Sequence, residues 1–174
     1  MAGENVAAEL LAEVSTLGHA PRVVGVYRAA DLPRASREVT LALWRLGDPG
    51  NVGTLIRTAD AFGAAVSLSP GCADPLSPRA LRATAGAIFR VPLVAWESAP
   101  GGRCVALVAH GGEPLAEVDL EPPLTLYLGS EREGLPDELV TSCHKATVSL
   151  PGDAESLNVA AAGAIALYEL SRRG

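Results

Sequence analysis

The sequence predicts an α/β fold in which a mostly parallel sheet carries helices on both faces. Short apolar runs of strand length alternate with stretches of helical spacing along the 174 residues. The strand-like runs are continuously apolar, which is typical of strands buried on both faces of a parallel sheet. Hydrophobic residues make up 48% of the chain and aromatic residues only 4%, so small aliphatic side chains must fill the core.

The N-terminal part of the chain is expected to contain one helix and two strands. Residues 4–17 have apolar positions at helical spacing, and Gly18 then interrupts the pattern. Residues 22–27 and 39–46 are β-branched or apolar runs that predict strands, the second of them a buried one.

The remaining elements alternate in type. Asp48-Pro49-Gly50 predicts a turn, and Asn51 is a candidate N-cap for a helix that runs to about Phe62. Further strands are predicted at 65–68, 105–109, 124–128 and 145–150, and further helices at 78–85, 136–142 and 158–172.

The formal net charge is −6, but the charges are unevenly distributed. Residues 15–90 carry nine arginines against five acidic residues, whereas residues 91–174 carry five basic against twelve acidic residues. Arginine binds phosphate through a planar fork of donors. A biased genome composition explains the preference for Arg over Lys equally well, but it does not explain the asymmetry.

Membrane and metal proteins are disfavoured. No apolar run approaches the roughly 20 residues that a membrane-spanning helix needs. Glu4, Glu9 and Glu13 stand where a signal peptide carries positive charge. The three cysteines and three histidines are scattered without metal-ligand spacing. We therefore expect a cytoplasmic protein that holds no metal.

Three segments place polar residues at a strand end or a helix start, where α/β proteins bind ligands. The first, residues 51–59, contains Asn51 and Arg57; taken alone, it is better explained as a capped amphipathic helix with one solvated arginine. The second, residues 128–135, is a glycine-flanked loop that contains Glu131, and its alternative is a charged surface turn.

The third segment, residues 150–164, begins a helix with Ser156-Leu157-Asn158 and continues with small residues. A helix N-terminus offers unpaired N–H donors and the positive end of a dipole, while small residues allow close packing. Alone, the segment is explained by a plain helix cap, with Asp153 or Ser156 as the capping residue.

In this order, the three segments resemble the signature motifs of the SpoU family, the TrmH-like branch of the SPOUT RNA methyltransferases. They match N-x-G-x-x-x-R, the glycine–glutamate loop and S-L-N-V, and the resemblance covers roughly residues 39–172. The second motif departs from the commonest form, N-E-G-x-G, at Ser130 and Arg132. The resemblance implies methyl transfer from S-adenosylmethionine to a ribose 2′-hydroxyl of ribosomal or transfer RNA. It also implies a C-terminal trefoil knot and a homodimer with the active site near its interface.

The resemblance implies specific site residues. We expect Arg57 to bind the phosphate next to the target ribose, Ser156 and Asn158 to hold Arg57 or the ribose, and Glu131 to orient this network. The expected catalytic residues are Asn51, Arg57, Glu131, Ser156 and Asn158, and the expected cofactor contacts are Ala109, Gly129, Leu150 and Leu157.

We expect residues 1–38 to form an N-terminal extension and residues 39–174 to form the methyltransferase domain. Many relatives carry an extra RNA-binding domain, so the extension is interpreted as the end of a truncated one. If the arginine-rich half is the RNA face, Arg34 and Arg37 belong to it.

Two alternatives remain. A catalytically inactive RNA-binding paralogue would keep the fold but lose the reactive residues, and all five positions carry the expected residue types. An ordinary nucleotide-binding Rossmann enzyme would carry G-x-G-x-x-G after a strand, and this sequence has none.

Overall fold

The computed structural model describes residues 6–15, 21–96 and 102–173. The chain divides into two compact units between Asp31 and Leu32. In the first unit, helix α1 spans Ala8–Val14 and a short 3-10 helix spans Ala29–Asp31. The leading helix is thus confirmed, while the outer ends of its predicted range, at residues 4–5 and 16–17, lie outside the described residues.

The strand predicted at residues 22–27 is wrong. The structure has no strand there, and the side chains of Val23 and Val26 are 81% and 97% exposed. A β-branched run forms a strand only where a neighbouring strand accepts its backbone hydrogen bonds and an apolar surface covers its side chains. A local sequence pattern shows neither whether a neighbouring strand is present nor whether an apolar surface covers the side chains.

Within the described residues, the second unit is built on a sheet of seven strands. The strands are β1 Val39–Leu43, β2 Ala65–Leu68, β3 Leu93–Val94, β4 Arg103–Leu107, β5 Glu113–Pro114, β6 Leu124–Leu128 and β7 His144–Thr147. They lie in the sheet in the order β3-β2-β1-β6-β4-β7-β5. Every paired strand in it is parallel, which confirms the predicted sheet. The sequence did not predict β3 and β5, because a strand of two residues has no detectable periodicity.

Four helices of the second unit confirm the predicted helices within a few residues at each end. They are α2 Pro49–Ala61, α3 Pro78–Thr84, α4 Asp137–Ser142 and α5 Val159–Ser171. Helices α2 and α5 pack together over β6, where Gly163 lies against the buried side chains of Leu55 and Leu128. Among the described residues, no helix is long and apolar enough to cross a membrane.

The strand register brings several chain connections to one edge of the sheet. Leu128, at the end of β6, is paired with Leu43 at the end of β1 and with Leu107 at the end of β4. Leu107 is also paired with Ala146 of β7. Because parallel strands end at the same edge, the connections that follow these four strands share one rim. The knotted path of the C-terminal helix stays a prediction.

Close packing of α2 against α3 gives a first test. A Cβ on Gly53 would lie 2.6 Å from the Cβ of Ala83 and would also meet the backbone carbonyl of Ala80. We therefore expect Gly53→Ala to lower the free energy of unfolding by about 1–3 kcal/mol, although alanine favours a helix more than glycine does. Urea denaturation measures the change. Gly152→Ala, where nothing lies within 4 Å of the new Cβ, is the matched control. Equal stability of the two variants would contradict this account of the packing.

Candidate active site

The helix that carries the first motif begins at Pro49, because Asp48 and not Asn51 is its N-cap. Oδ1 of Asp48 accepts a hydrogen bond from the backbone N–H of Asn51 at 3.0 Å. Arg79 donates to the other carboxylate oxygen of Asp48 at 2.9 Å. Proline suits the first helical position, where its missing N–H is not needed. The prediction that Asn51 caps this helix is wrong, and the amide side chain of Asn51 is available for another partner.

The second motif forms a tight loop directly after β6. The backbone N–H of Gly134 donates to the carbonyl of Ser130 at 3.0 Å, and the N–H of Glu133 donates to the Ser130 hydroxyl at 3.2 Å. A Cβ on Gly129 would lie 2.6 Å from the carbonyl oxygen of Gly134, so the loop can close only with glycine at this position. Ser130, which departs from the commonest form of the motif, closes the turn and leaves Glu131 exposed.

The third motif supplies the cap of α5, and Asn158 is the capping residue instead of Asp153 or Ser156. Its Oδ1 accepts hydrogen bonds from the backbone N–H groups of Ala160 at 2.9 Å and Ala161 at 3.4 Å. An Asn at this position satisfies helix donors that otherwise have no partner. The cap also decides which end of the Asn158 amide remains for other contacts.

Two side-chain hydrogen bonds join all three motifs. Nδ2 of Asn158 donates to Oδ1 of Asn51 at 3.1 Å, and Nδ2 of Asn51 donates to Oε1 of Glu131 at 2.5 Å. The oxygen of Asn158 is occupied by the helix cap, so its nitrogen must face Asn51. The oxygen of Asn51 must then accept, and its nitrogen must donate onward. The resulting hydrogen-bond chain has one direction and ends on a carboxylate.

A cavity of about 710 Å³, the rim cavity, lies beside this hydrogen-bond chain. Apolar side chains from the ends of the strands form part of its wall, among them Leu107, Leu128 and Val148. The cavity is also lined by all four predicted cofactor contacts and three predicted catalytic residues, namely Ala109, Gly129, Leu150, Leu157, Glu131, Ser156 and Asn158.

The segment before α5 contributes backbone donors to this region. Residues 151–158 are all exposed. Between Leu150 and Leu157, no backbone or side-chain group is hydrogen-bonded to another residue in the described part of the chain. Unpaired N–H groups beside a cavity are available to a ligand, because they form no bond that a ligand would have to replace.

Arg57 is not brought to this cluster within one chain. It lies exposed on α2 and does not line the rim cavity. Its guanidinium makes no hydrogen bond or ion pair with any residue in the ranges that the structure describes. Within one chain, Asn158 therefore binds Asn51 and does not hold Arg57, and Ser156 is exposed without a hydrogen-bond partner among the described residues.

Several arginines of the arginine-rich half have structural partners. Arg37 donates to the backbone carbonyls of Ala64 at 3.1 Å and Arg90 at 3.0 Å, and Arg90 forms an ion pair with Asp60. The guanidinium of Arg37 is therefore already bound within the fold, contrary to the expectation that Arg37 belongs to an RNA face. Arg34 is exposed and has no partner among the described residues.

Groups outside the cluster show no metal-binding arrangement in the described ranges, where no three His, Cys, Asp or Glu side chains come together. The cysteines Cys72, Cys104 and Cys143 are free. Burial, together with a hydrogen bond between the Cys143 thiol and the neighbouring Cys104, raises the pKa of Cys143 to about 12. Cys143 is therefore a neutral thiol at physiological pH.

Sequence reasoning missed two residues that shape the site. Asp48 caps the helix of the first motif, and Ser130 closes the loop of the second. Asp followed by Pro is a recognised helix-start pattern, so Asp48 could have been found from the sequence. For Ser130, the signal in the sequence is the residue type itself, because a serine hydroxyl often hydrogen-bonds to nearby backbone groups in a turn.

A family model described as the SpoU rRNA Methylase family matches residues 38–168. The chain is 32% identical over 182 residues to an uncharacterized tRNA/rRNA methyltransferase of Synechocystis, covering 97% of this chain and 66% of that protein. It is 36% identical over 146 residues to the 23S rRNA (guanosine(2553)-2′-O)-methyltransferase of Bacillus subtilis, covering 78% and 59%. The chain thus spans somewhat less than two thirds of these relatives.

The fold is similar to that of solved methyltransferases. The structure of an AdoMet-bound rRNA methyltransferase from Sinorhizobium meliloti aligns with a TM-score of 0.73 and 38% identity. The alignment covers 82% of this chain and 59% of that one. The residues that the family model matches contain the parallel sheet and all three motifs. The chain therefore belongs to the SpoU rRNA methylase family.

Proposed function

We propose that this chain transfers a methyl group from S-adenosylmethionine to a ribose 2′-hydroxyl of RNA. The observation that carries the proposal is the hydrogen-bond chain from Asn158 through Asn51 to Glu131 beside the rim cavity. It joins the three motifs of the family at one place. The Bacillus relative methylates a ribose 2′-oxygen by name, and the Sinorhizobium structure holds AdoMet.

The rim cavity fits S-adenosylmethionine in size and in chemistry. Its volume of about 710 Å³ lies within the range of small-molecule sites. Leu107, Leu128 and Val148 offer an apolar wall for an adenine ring, and the unpaired N–H groups after Leu150 offer donors for polar groups. Ala109, Gly129, Leu150 and Leu157 would hold the cofactor there. When bound, the cofactor supplies an electrophilic methyl group on a sulfonium.

Arg57 acts in this proposal by binding and orienting the substrate. A guanidinium carries five donors and no acceptor, and it keeps its proton in proteins, so it cannot serve as the base. Its planar fork suits the phosphate next to the target ribose, which places the 2′-hydroxyl for attack. The hydroxyl proton then leaves to a phosphate oxygen or to water.

The hydrogen-bond chain keeps the cavity-side groups in place. Asn51 and Asn158 fix the position of the Glu131 carboxylate, which is exposed and lines the rim cavity. A fixed carboxylate at the rim accepts hydrogen bonds from a ribose hydroxyl or from Ser156. This orients the ribose without an added reorganisation when the substrate binds.

The position of Arg57 supports a homodimer in which each site uses two chains. Arg57 has no partner among the described residues of its own chain and lies outside the rim cavity. The neighbouring helix α5 exposes an apolar stripe in which Ile165 is 37% and Tyr168 56% exposed. A second copy on this stripe would cover it and bring its own Arg57 to the rim.

The substrate belongs to the same proposal. Ribosomal RNA is favoured because the named activity of the Bacillus relative is on 23S rRNA, and transfer RNA is the second class. An RNA substrate of either kind places the proposed activity in the cytoplasm. Mapping of 2′-O-methyl groups in total RNA, with and without the protein, identifies the nucleotide.

Cofactor binding is the first test. We expect calorimetric titration to give one S-adenosylmethionine per chain and no binding of NAD. Gly129→Ala should weaken this binding by about tenfold or more, because the new Cβ collides with the backbone at Gly134 and displaces the loop. Gly25→Ala, which adds a Cβ with nothing within 4 Å and outside both the rim cavity and the segment before α5, should bind as the wild type does. Tight NAD binding in place of S-adenosylmethionine would replace the proposal with a nucleotide-dependent enzyme.

The role of Arg57 is tested by Arg57→Lys in single-turnover methylation across pH. A lysine keeps the positive charge but cannot donate two parallel hydrogen bonds to a phosphate. We therefore expect a methylation rate of about one tenth of the wild-type rate or lower, and a pH profile of unchanged shape. S-adenosylmethionine affinity should stay at the wild-type value. Arg103→Lys, at the opposite edge of the sheet, is the control. A near-wild-type rate for Arg57→Lys would exclude the forked phosphate contact.

Assembly of the site from two chains is tested by mixing variants. Arg57→Ala and Glu131→Ala should each be inactive as homodimers. After co-refolding, mixed dimers contain one intact site, so about a quarter of the wild-type activity should return. If Arg57 serves its own chain, neither chain of a mixed dimer is intact and no activity returns.

A further inference from the structure

A second cavity of about 640 Å³ also borders the loop that carries Glu131. It is lined by residues 130–133 and by Arg45, Gly47, Asp48, Pro49, Gly71 and Arg79. Both cavities are therefore lined by the same loop. We call this second space the arginine cavity. A ligand that reaches the hydrogen-bond chain from the rim cavity therefore lies next to the arginine cavity.

Three arginines line the arginine cavity, and they differ in how far their own chain neutralises them. Arg79 forms an ion pair with Asp48 at 2.9 Å. Arg45 has only a loose contact with Glu133, at 3.9 Å, and both side chains are more than half exposed. Arg132 has no hydrogen bond or ion pair to any residue within the described ranges.

The carboxylates that line the arginine cavity are hydrogen-bonded within the chain to a greater extent than its arginines are. Asp48 accepts from Arg79 and from the start of α2, and Glu131 accepts from Asn51. The side chain of Glu133 is 74% exposed, and within the described ranges its carboxylate has only the loose contact with Arg45. The cavity is left with two guanidinium groups that have unfilled donors. Such a donor excess favours an anion as ligand.

The backbone holds Arg45 in a strained conformation that directs it toward this cavity. Its φ angle is +49°, a left-handed conformation that a residue with a Cβ rarely adopts. The backbone N–H of Arg45 donates to the hydroxyl of Ser69 at 2.9 Å, and Ser69 is itself buried. Its side chain passes close over Gly71, where an added Cβ would lie 3.4 Å from the Arg45 Nε. Strain of this kind is kept mainly at functional positions.

We propose that the arginine cavity binds a backbone phosphate of the RNA strand that flanks the methylated ribose, and that Arg45 and Arg132 bind this phosphate. The inference rests on the proposed function for the identity of the strand. The shared loop gives the geometry: with the target ribose at Glu131, which lines both cavities, the neighbouring phosphate of the same strand can enter the arginine cavity. Arg79 stays with Asp48 and supports the wall.

The test measures RNA binding and cofactor binding separately in the full chain. The probe is transcribed, unmodified 23S rRNA, with affinity recorded over a series of salt concentrations. Arg45→Gln and Arg132→Gln should each weaken binding about tenfold and lower the slope of log affinity against log salt by about one. S-adenosylmethionine affinity, measured by calorimetry, should change less than about twofold in Arg45→Gln, because Arg45 does not line the rim cavity. Arg132 lines both cavities, so Arg132→Gln is assessed by RNA binding alone. Arg103→Gln removes the same charge outside both cavities and should change neither quantity.

Arg45→Gly guards against a folding artefact. Glycine adopts a φ of +49° without strain, so this variant should melt close to the wild type and still lose the RNA affinity. RNA binding by Arg45→Gly and Arg45→Gln equal to that of Arg103→Gln would overturn the phosphate site and leave the methyltransferase proposal standing. Loss of S-adenosylmethionine binding in Arg45→Gln would also overturn it, since Arg45 would then support the cofactor site. Arginine-dependent RNA binding without methylation would sustain the phosphate site and reject the proposed reaction.

Discussion

The hydrogen-bond chain from Asn158 through Asn51 to Glu131 is the contact on which the candidate site depends. It joins residues that are 107 and 80 positions apart in the sequence. Its direction is set by the cap of α5, because the oxygen of Asn158 is already bound to that helix. These hydrogen bonds can form only if helices α2 and α5 begin beside each other at the rim of the sheet. Packing of Gly163 against Leu55 and Leu128 holds the two helices at the required distance.

The loop after β6 borders two environments that suit different ligands. The rim cavity offers apolar walls and unpaired backbone donors. The arginine cavity offers guanidinium groups that their own carboxylates do not satisfy. Residues 130–133 line both cavities, and Glu131 is the one of them that belongs to the hydrogen-bond chain. A cofactor and a nucleic-acid strand can then meet at one carboxylate.

The distribution of arginines explains how a chain with a net charge of −6 is compatible with an RNA substrate. Net charge describes the field at a distance, whereas phosphate binding depends on donors that are free at the site. Arg37 and Arg90 are bound to backbone or carboxylate groups and support the fold. Arg45, Arg57 and Arg132 keep unfilled donors. The arginines that matter for the proposed function are therefore few and are identified by their lack of firm partners among the described residues.

The sequence by itself determined the α/β class, most helices and strands, and the three ordered motifs that identify the family. These features depend on periodicity and residue type over short distances, which a sequence records directly. Tertiary structure alone decided that residues 22–27 form no strand, and that Asn158 binds Asn51 while Arg57 lies outside the rim cavity. Such outcomes depend on strand order and on helix packing across the sheet. Contacts between residues far apart in the chain leave no local pattern from which they could be predicted.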